Sequence, residues 1–214
     1  MSRWTNLSFR NTEQPDHHSG DSILERLDID MFTCFPLDYM HLVCLGVARK
    51  LLVSWVKGPL IVRLGSRIID VFSDRLLTLV PFIPCDFARK PRSLNQLAYF
   101  KATEYWQLLW YTGPIVLNGV LPDSLYSHFM LLYCAIKLLP YDNNDSSIFD
   151  LAQLLLLKFV VDCKNLYGVI FLSVNVHNLI HLVLDRLMVI YRVLVRFPLK
   201  INGVLKKKPS KNSK

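Results

Sequence analysis

The sequence predicts a mainly α-helical protein with one or two short strands. From Tyr39 onward, apolar residues recur at helical spacing in several segments that turn residues separate. A single aromatic-rich run, Phe32–Leu37, alternates loosely as a strand does, and Pro36 limits it to a short or edge strand. The 214 residues are 52% hydrophobic, which suffices for one sizeable packed domain or two small ones.

Local signals define each element in turn. The first residues are polar and turn-rich, and a short helix over ILERLD follows a cap at Asp21 or Ser22. The first long helix begins at Tyr39 and ends at the KGP turn, residues 57–59. Further helices are predicted over Ser66–Val80, Asn95–Trp110, Leu125–Leu139, Ser147–Cys163 and Val176–Ile190. Four regions result: a polar segment 1–30, a strand–helix unit 31–64, a helical region 65–190 and an irregular basic tail 191–214.

Positive charge is concentrated in the tail. The net charge is +8, and the KKKPSKNSK tail supplies +5 of it, through Lys206, Lys207, Lys208, Lys211 and Lys214, so the remaining chain carries only +3. With no apolar residue to anchor it, this tail is predicted to be disordered. Two interpretations remain open, a solubilising tail and a patch for nucleic acid or nuclear import.

Cysteine usage and hydropathy indicate the compartment. The five cysteines are widely spaced and form no CxxC pair, which predicts reduced thiols. The N-terminal residues lack the apolar core of a signal peptide. The best candidate for a membrane span, Tyr105–Pro122, is interrupted by Gly113, Pro114 and Gly119. We therefore expect a nuclear or cytoplasmic protein that is not secreted and has neither a membrane partner nor a small-molecule substrate.

Several ordered blocks carry a resemblance to a known group of proteins. They read TNLSFRNTEQPDHHSGDSIL, FPLDYMHLVCLGVARKLLVSWVKGPL, FARKPRSLNQL, FKATEYWQLLWYTGPIVLNGVLPDSLYSHFMLLYCAIKLL and NVHNLIHLVLD, and they extend from about Thr5 to Asp185. The blocks resemble DDE-type transposase-related proteins of eukaryotic cut-and-paste DNA transposons, with CACTA-like elements as the nearest group. The resemblance implies a truncated fragment of an RNase H-like core that is interrupted by a helical insertion.

The resemblance also implies a remnant of a metal site. DYMH matches the Asp-x-x-His signature of such enzymes, so Asp38 becomes the candidate catalytic metal ligand and His41, one helical turn later, its partner. The ions implied are Mg²⁺ or Mn²⁺, which two-metal nucleases hold with carboxylates. The alternative is that Asp38 only caps the helix beginning at Tyr39 and that His41 is a core histidine.

Two departures from the family pattern predict a catalytically inactive protein with no bound metal. No strand-borne acid precedes Asp38, and Leu199–Asn202 stands where the family places a late Glu, with Lys200 inside it. A charged lysine cannot bind a metal ion. Two of the three acids are therefore missing, and whether the chain is an enzyme at all stays open.

Basic and histidine residues supply the remaining candidates. Arg89, Lys90 and Arg92, together with Lys206, Lys207 and Lys208 of the tail, are the candidate DNA contacts, because phosphates need only nearby cations. His177 and His181 have the i, i+4 spacing of zinc ligands but lack the glutamate of a zincin, which favours a packing role. Cys34, His41 and Cys44 form a weaker zinc candidate, and the sequence assigns no role to His17 or His18.

Three functions follow as hypotheses. The first is a transposase-derived, inactive protein with residual DNA binding and a possible homodimer contact in the helical region. The second is a helical protein-interaction module with no nucleic-acid role. The third is a decayed reading frame without function.

Overall fold

The computed structural model describes residues 5–13, 15, 18, 20–31, 34–35, 37–85, 87–140 and 146–183. The described part is mainly α-helical, with eight α-helices and no strand. The chain divides into two compact units, Met1–Asp38 and Tyr39–Lys214. Lys206, Lys207, Lys208 and the other residues of the predicted tail lie outside the described residues, as does His17.

The first unit is a small capped segment. Helix α1, Asn6–Arg10, begins at a Thr5 cap whose hydroxyl accepts a hydrogen bond from the Ser8 amide. A 3₁₀ helix over Ile23–Arg26 takes the place of the predicted ILERLD helix. Of the two predicted caps, Asp21 and Ser22, it is Ser22 that caps this helix. The Arg10 guanidinium donates to the carbonyls of Leu27 and Ile29 at 2.9 and 2.8 Å, so it joins α1 to the end of this unit.

The strand predicted over Phe32–Leu37 is wrong for the residues that the structure describes there. Cys34 lies in a turn, and its backbone amide donates to the Asp30 carbonyl at 3.1 Å. Neither Phe35 nor Leu37 is part of a strand. Phe32, Thr33 and Pro36 lie outside the described residues. The physical reason is that an isolated extended segment has no second strand with which to pair its backbone groups.

The second unit contains the longer helices. Its first helix is π-helical over Met40–Ala48 and continues as α2, Arg49–Lys57, and α3 follows over Ser66–Thr78. A 3₁₀ helix, Leu94–Tyr99, precedes α4, Ala102–Gln107, which continues through a π-helical segment, Leu108–Thr112, into α5, Gly113–Leu117. The last helices are α6, Asp123–Leu138, α7, Ser146–Tyr167, and α8, Val174–Asn178. Short 3₁₀ helices over Val80–Phe82, Val169–Phe171 and Leu179–His181 complete the unit.

Four of the predicted long helices are confirmed with shifts of a few residues in their bounds, and the other two differ from the prediction. The predicted helix Asn95–Trp110 stops at Tyr99 and restarts at Ala102, because the Glu104 carboxylate accepts the Lys101 amide at 2.8 Å and caps a new helix. Its predicted end at Trp110 is wrong, since the helix continues through Leu108–Thr112 into α5. For the last predicted helix, Val176–Ile190, the described residues form α8 and the following 3₁₀ helix, and the residues from 184 onward are not described.

Two glycines accompany the π-helical segments. A Cβ atom added at Gly46 would lie 2.8 Å from the His41 carbonyl oxygen and 2.7 Å from Nδ2 of Asn175 in α8. A Cβ atom at Gly113 would lie 2.5 Å from the Leu108 carbonyl oxygen. Each carbonyl is five residues upstream, which is the spacing of a π turn, so glycine allows the wide turn to pack closely.

Helices α6 and α7 form the packed centre of this unit. They are antiparallel, since His128 near the start of α6 contacts Phe159 and Cys163 near the end of α7. The buried face of α7 consists of Ala152, Leu156, Phe159, Cys163 and Tyr167. Within the described part, no helix combines the length and the apolar character that crossing a membrane requires.

Candidate functional site

The residues that the resemblance implies for a metal site lie at the junction of the two units in the sequence. Asp38 is the half-buried last residue of the first unit, and His41 is an exposed residue in the first turn of the second. Among the described residues, no three His, Cys, Asp or Glu side chains come together. These residues therefore do not fit a two-metal centre, which needs several carboxylates around its ions.

The predicted zinc pair is close in space. The rings of His177 and His181 lie 5.5 Å apart in an edge-on arrangement, with both side chains half-buried. No third ligand joins them among the residues that the structure describes. His18, whose role the sequence left open, packs against the Phe9 ring with centroids 4.7 Å apart.

The three basic residues of the loop before the 3₁₀ helix Leu94–Tyr99, which are Arg89, Lys90 and Arg92, have different environments. Arg89 and Lys90 are exposed, and the Lys90 ammonium donates to the Ile83 carbonyl within the same loop. Arg92 instead forms a two-point ion pair with Glu104, in which Nε and Nη2 donate to the two carboxylate oxygens at 2.6 and 2.7 Å. Nη2 also donates to the Tyr99 carbonyl at 2.8 Å.

The Arg92–Glu104 pair stabilises the loop. The Glu104 side chain is 2% exposed and the Arg92 side chain 28%, so a buried carboxylate is paired with a half-buried cation. The hydrogen bonds to Glu104 raise the pKa of Arg92 above its ordinary value. Arg92 is thus engaged by groups of the protein, whereas Arg89 and Lys90 of the same loop face solvent.

A buried hydrogen-bonded chain around His128 was missed by sequence reasoning. The His128 ring stacks on Phe159 with centroids 4.2 Å apart, and its Nε2 lies 2.9 Å from the Phe159 carbonyl oxygen. Its Nδ1 lies 3.3 Å from the Tyr167 hydroxyl, which in turn accepts a hydrogen bond from Trp55 Nε1 at 3.4 Å. The chain links α2, α6 and α7.

The partners of His128 fix its protonation. A carbonyl oxygen can only accept, so Nε2 carries the proton and Nδ1 accepts from Tyr167. Burial lowers the pKa of His128, which favours this neutral form, although the Phe159 carbonyl partly opposes the shift. Cys163 Sγ lies 3.7 Å from Nε2, and burial raises the pKa of its thiol to about 12.

This cluster is built for packing rather than for nucleophilic catalysis. An activated cysteine needs a lowered pKa and a histidine nitrogen free to take its proton. Here the nearest nitrogen already donates to a carbonyl, and the thiol stays protonated at neutral pH. A groove of about 430 Å³ adjoins the cluster, but His128 is only 2% exposed within it. The groove is lined by Ser124, Ser127, His128, Leu131, Lys158, Asp162, Asn165 and Leu166.

A second cluster surrounds an α6 lysine. The Lys137 ammonium lies over the rings of Trp110, Tyr111 and Tyr133, at 4.8, 5.4 and 5.9 Å from their centroids. Burial lowers the pKa of Lys137. Trp110 also donates from Nε1 to the hydroxyl of buried Tyr39 at 2.7 Å, and burial raises the pKa of that hydroxyl. These contacts join the two π-helical segments to α6.

A further surface feature is an apolar stripe on α7. Opposite its buried face, the helix exposes Leu151 at 49%, Leu154 at 63%, Leu157 at 40% and Val161 at 63%. We call these four residues the α7 stripe. The signal for it was present in the sequence, because apolar residues recur at helical spacing along two opposite sides of the same helix.

Comparisons with known proteins find no relative. No protein-family model matches the sequence, and no curated protein and no solved structure shows a significant match to it. The similarity to transposase-related proteins therefore stays a prediction that rests on the sequence blocks.

The buried ion pair predicts unequal costs of mutation. Arg92→Ala leaves the Glu104 carboxylate buried without its cation, so we expect a loss of about 3–5 kcal/mol in the free energy of unfolding. The control Arg89→Ala, an exposed arginine of the same loop, should change it by less than about 0.5 kcal/mol. Urea unfolding measures both values. Equal small effects would show that the carboxylate does not depend on Arg92.

The neutral His128 predicts a stability that depends on pH. Its pKa is lowered in the folded state, while an unfolded histidine takes up a proton near pH 6.5. The unfolded state then binds more protons, so stability is constant above about pH 7 and falls below it, by at most about 1.4 kcal/mol per pH unit. Unfolding of the wild type and of His128→Gln across pH 5–8 isolates this contribution. An identical pH dependence in both proteins would contradict it.

Proposed function

We propose that this chain is a non-catalytic helical protein-interaction module of DDE-transposase descent. The observation that supports it is the α7 stripe, since a soluble domain rarely leaves several large apolar side chains in a row on one helix unless another molecule covers them. Protein interfaces commonly bury such a helix face.

The transposase descent is proposed from sequence alone. The ordered blocks around FPLDYMHLVCLG support it, and residues 31–64 would then derive from an RNase H-like core with the helical region as its insertion. The non-catalytic part of the proposal rests on Lys200 and its neighbours, which replace the late acid. A nuclear or cytoplasmic location belongs to the same proposal.

A second candidate function is DNA binding, which the loop before the 3₁₀ helix Leu94–Tyr99 favours. Arg89 and Lys90 face solvent while Arg92 anchors the loop through its ion pair with Glu104, so two cations are held on an anchored segment. Backbone phosphates can be contacted by such a pair without any reading of base sequence. Lys206, Lys207 and Lys208 of the tail would add to this charge.

If the chain is an interaction module, another protein should cover the α7 stripe inside cells. A photo-crosslinking amino acid placed at Leu154 should give discrete protein adducts, because the side chain there lies in an interface. Leu60 is the matched control, since it is a leucine that is 79% exposed and lies outside α7. The adducts are identified by mass spectrometry. The proposal fails if position 154 yields no more protein adduct than position 60.

The second candidate predicts a charge-specific loss of DNA affinity. Arg89→Glu/Lys90→Glu should lower the slope of log affinity against log salt by about two, one for each lost phosphate contact. Arg63→Glu/Arg67→Glu is the matched control, with the same charge change at two exposed arginines elsewhere. Fluorescence anisotropy of a labelled duplex measures both. Equal losses in the two variants would show that net charge alone drives binding.

A further inference from the structure

Two opposite charges stand at the ends of the α7 stripe. Asp150 lies near the start of the helix and Lys164 near its end, and both are exposed. With about 100° between successive helical residues, Asp150, Leu154, Leu157, Val161 and Lys164 fall within an arc of about 80°. Within this arc the exposed face is therefore acidic at one end, apolar in the middle and basic at the other end. Leu151 and the ion pair between Lys158 and Asp162, at 2.7 Å, lie beside the arc.

Such a face is complementary to itself when it is reversed. In an antiparallel pair, the acidic end of each helix meets the basic end of the other, whereas a parallel pair would place like charges together. A two-fold axis near Leu157 brings Asp150 opposite Lys164 of the second copy. The same axis places Leu154 in the gap between Leu157 and Val161 of that copy, as a knob enters a hole.

We propose that α7 pairs in antiparallel orientation with α7 of a second copy of this chain. The inference rests on the proposed interaction module and names its partner. The contact is isologous, so each charge pair and each leucine contact occurs twice. The apolar part, Leu151 to Val161, extends over eleven residues, about 16 Å of helix, which suits a reversible association rather than a permanent one.

A charge-swap experiment on the full chain tests the orientation. Asp150→Lys places two lysines opposite each other at both ends of the pair, and Lys164→Glu places two acids there. Each variant alone should associate about tenfold more weakly than the wild type, because two pairs become repulsive. When the two variants are mixed, every facing pair is again of opposite charge, and association should return as a heterodimer. Sedimentation velocity over a concentration series measures this.

Controls separate the possible failures. Circular dichroism should be unchanged in each variant, which shows that it folds. Leu154→Glu/Leu157→Glu should abolish association. The matched control Leu60→Glu/Ile61→Glu, at two residues that are 79% and 81% exposed, should leave association unchanged. A monomeric wild type, or a mixture that does not recover, overturns the antiparallel pair. If crosslinks from position 154 then reach a different protein, the interaction module stands and only its partner is wrong. If they reach none, both proposals fail.

Discussion

One buried hydrogen-bonded chain, which passes through the imidazole of His128, connects α2, α6 and α7. Trp55 donates to Tyr167, Tyr167 donates to His128, and His128 donates to the carbonyl of Phe159, so the hydrogen bonds run in one direction and end at a group that can only accept. A second proton on His128 would turn Nδ1 into a donor, so the hydrogen of the Tyr167 hydroxyl would lose its acceptor. Because these groups are buried, water cannot readily replace that acceptor, and the contact that α2, α6 and α7 share would be weakened. The neutral state of His128 therefore favours the packing of these three helices.

Residues of the same type serve different purposes according to their burial. Buried charged and apolar residues stabilise the fold, whereas exposed ones are available to contact another molecule. Arg92 belongs to a basic stretch but serves a buried carboxylate, while its neighbour Arg89 faces solvent. Leu156 and Leu154 are two positions apart on α7, yet Leu156 is fully buried and Leu154 is mostly exposed. Residue type alone gives no hint of this difference. The exposed member of each pair is the one on which a function can be proposed, because only exposed groups can meet another molecule.

The helices followed from apolar periodicity and from the glycines and prolines between them, since these signals are local. The strand at Phe32–Leu37 failed because strand formation needs a partner that the local sequence cannot supply. The interruption before Ala102 was missed because Glu104 is compatible with two structures. A glutamate can lie in the middle of a continuous helix, and it can also cap a new helix as its third residue, as it does here. The His128 cluster could not be predicted from local sequence signals. Its partners Phe159 and Tyr167 are 31 and 39 residues away and contact it only because α6 packs against α7.

The π-helical opening of the second unit gives the chain a tolerance in length that a regular α-helix lacks. A π turn holds one more residue than an α turn. If one residue were lost between Met40 and Ala48, a wide turn could close as an α turn, and the buried residues Leu51, Leu52 and Trp55 would keep their side of the helix. A deletion at the start of α2, where no wide turn can absorb it, would instead rotate these three residues by about 100° relative to the preceding turn. The π-helical segment is thus the part of this helix in which the loss of one residue leaves the buried face intact.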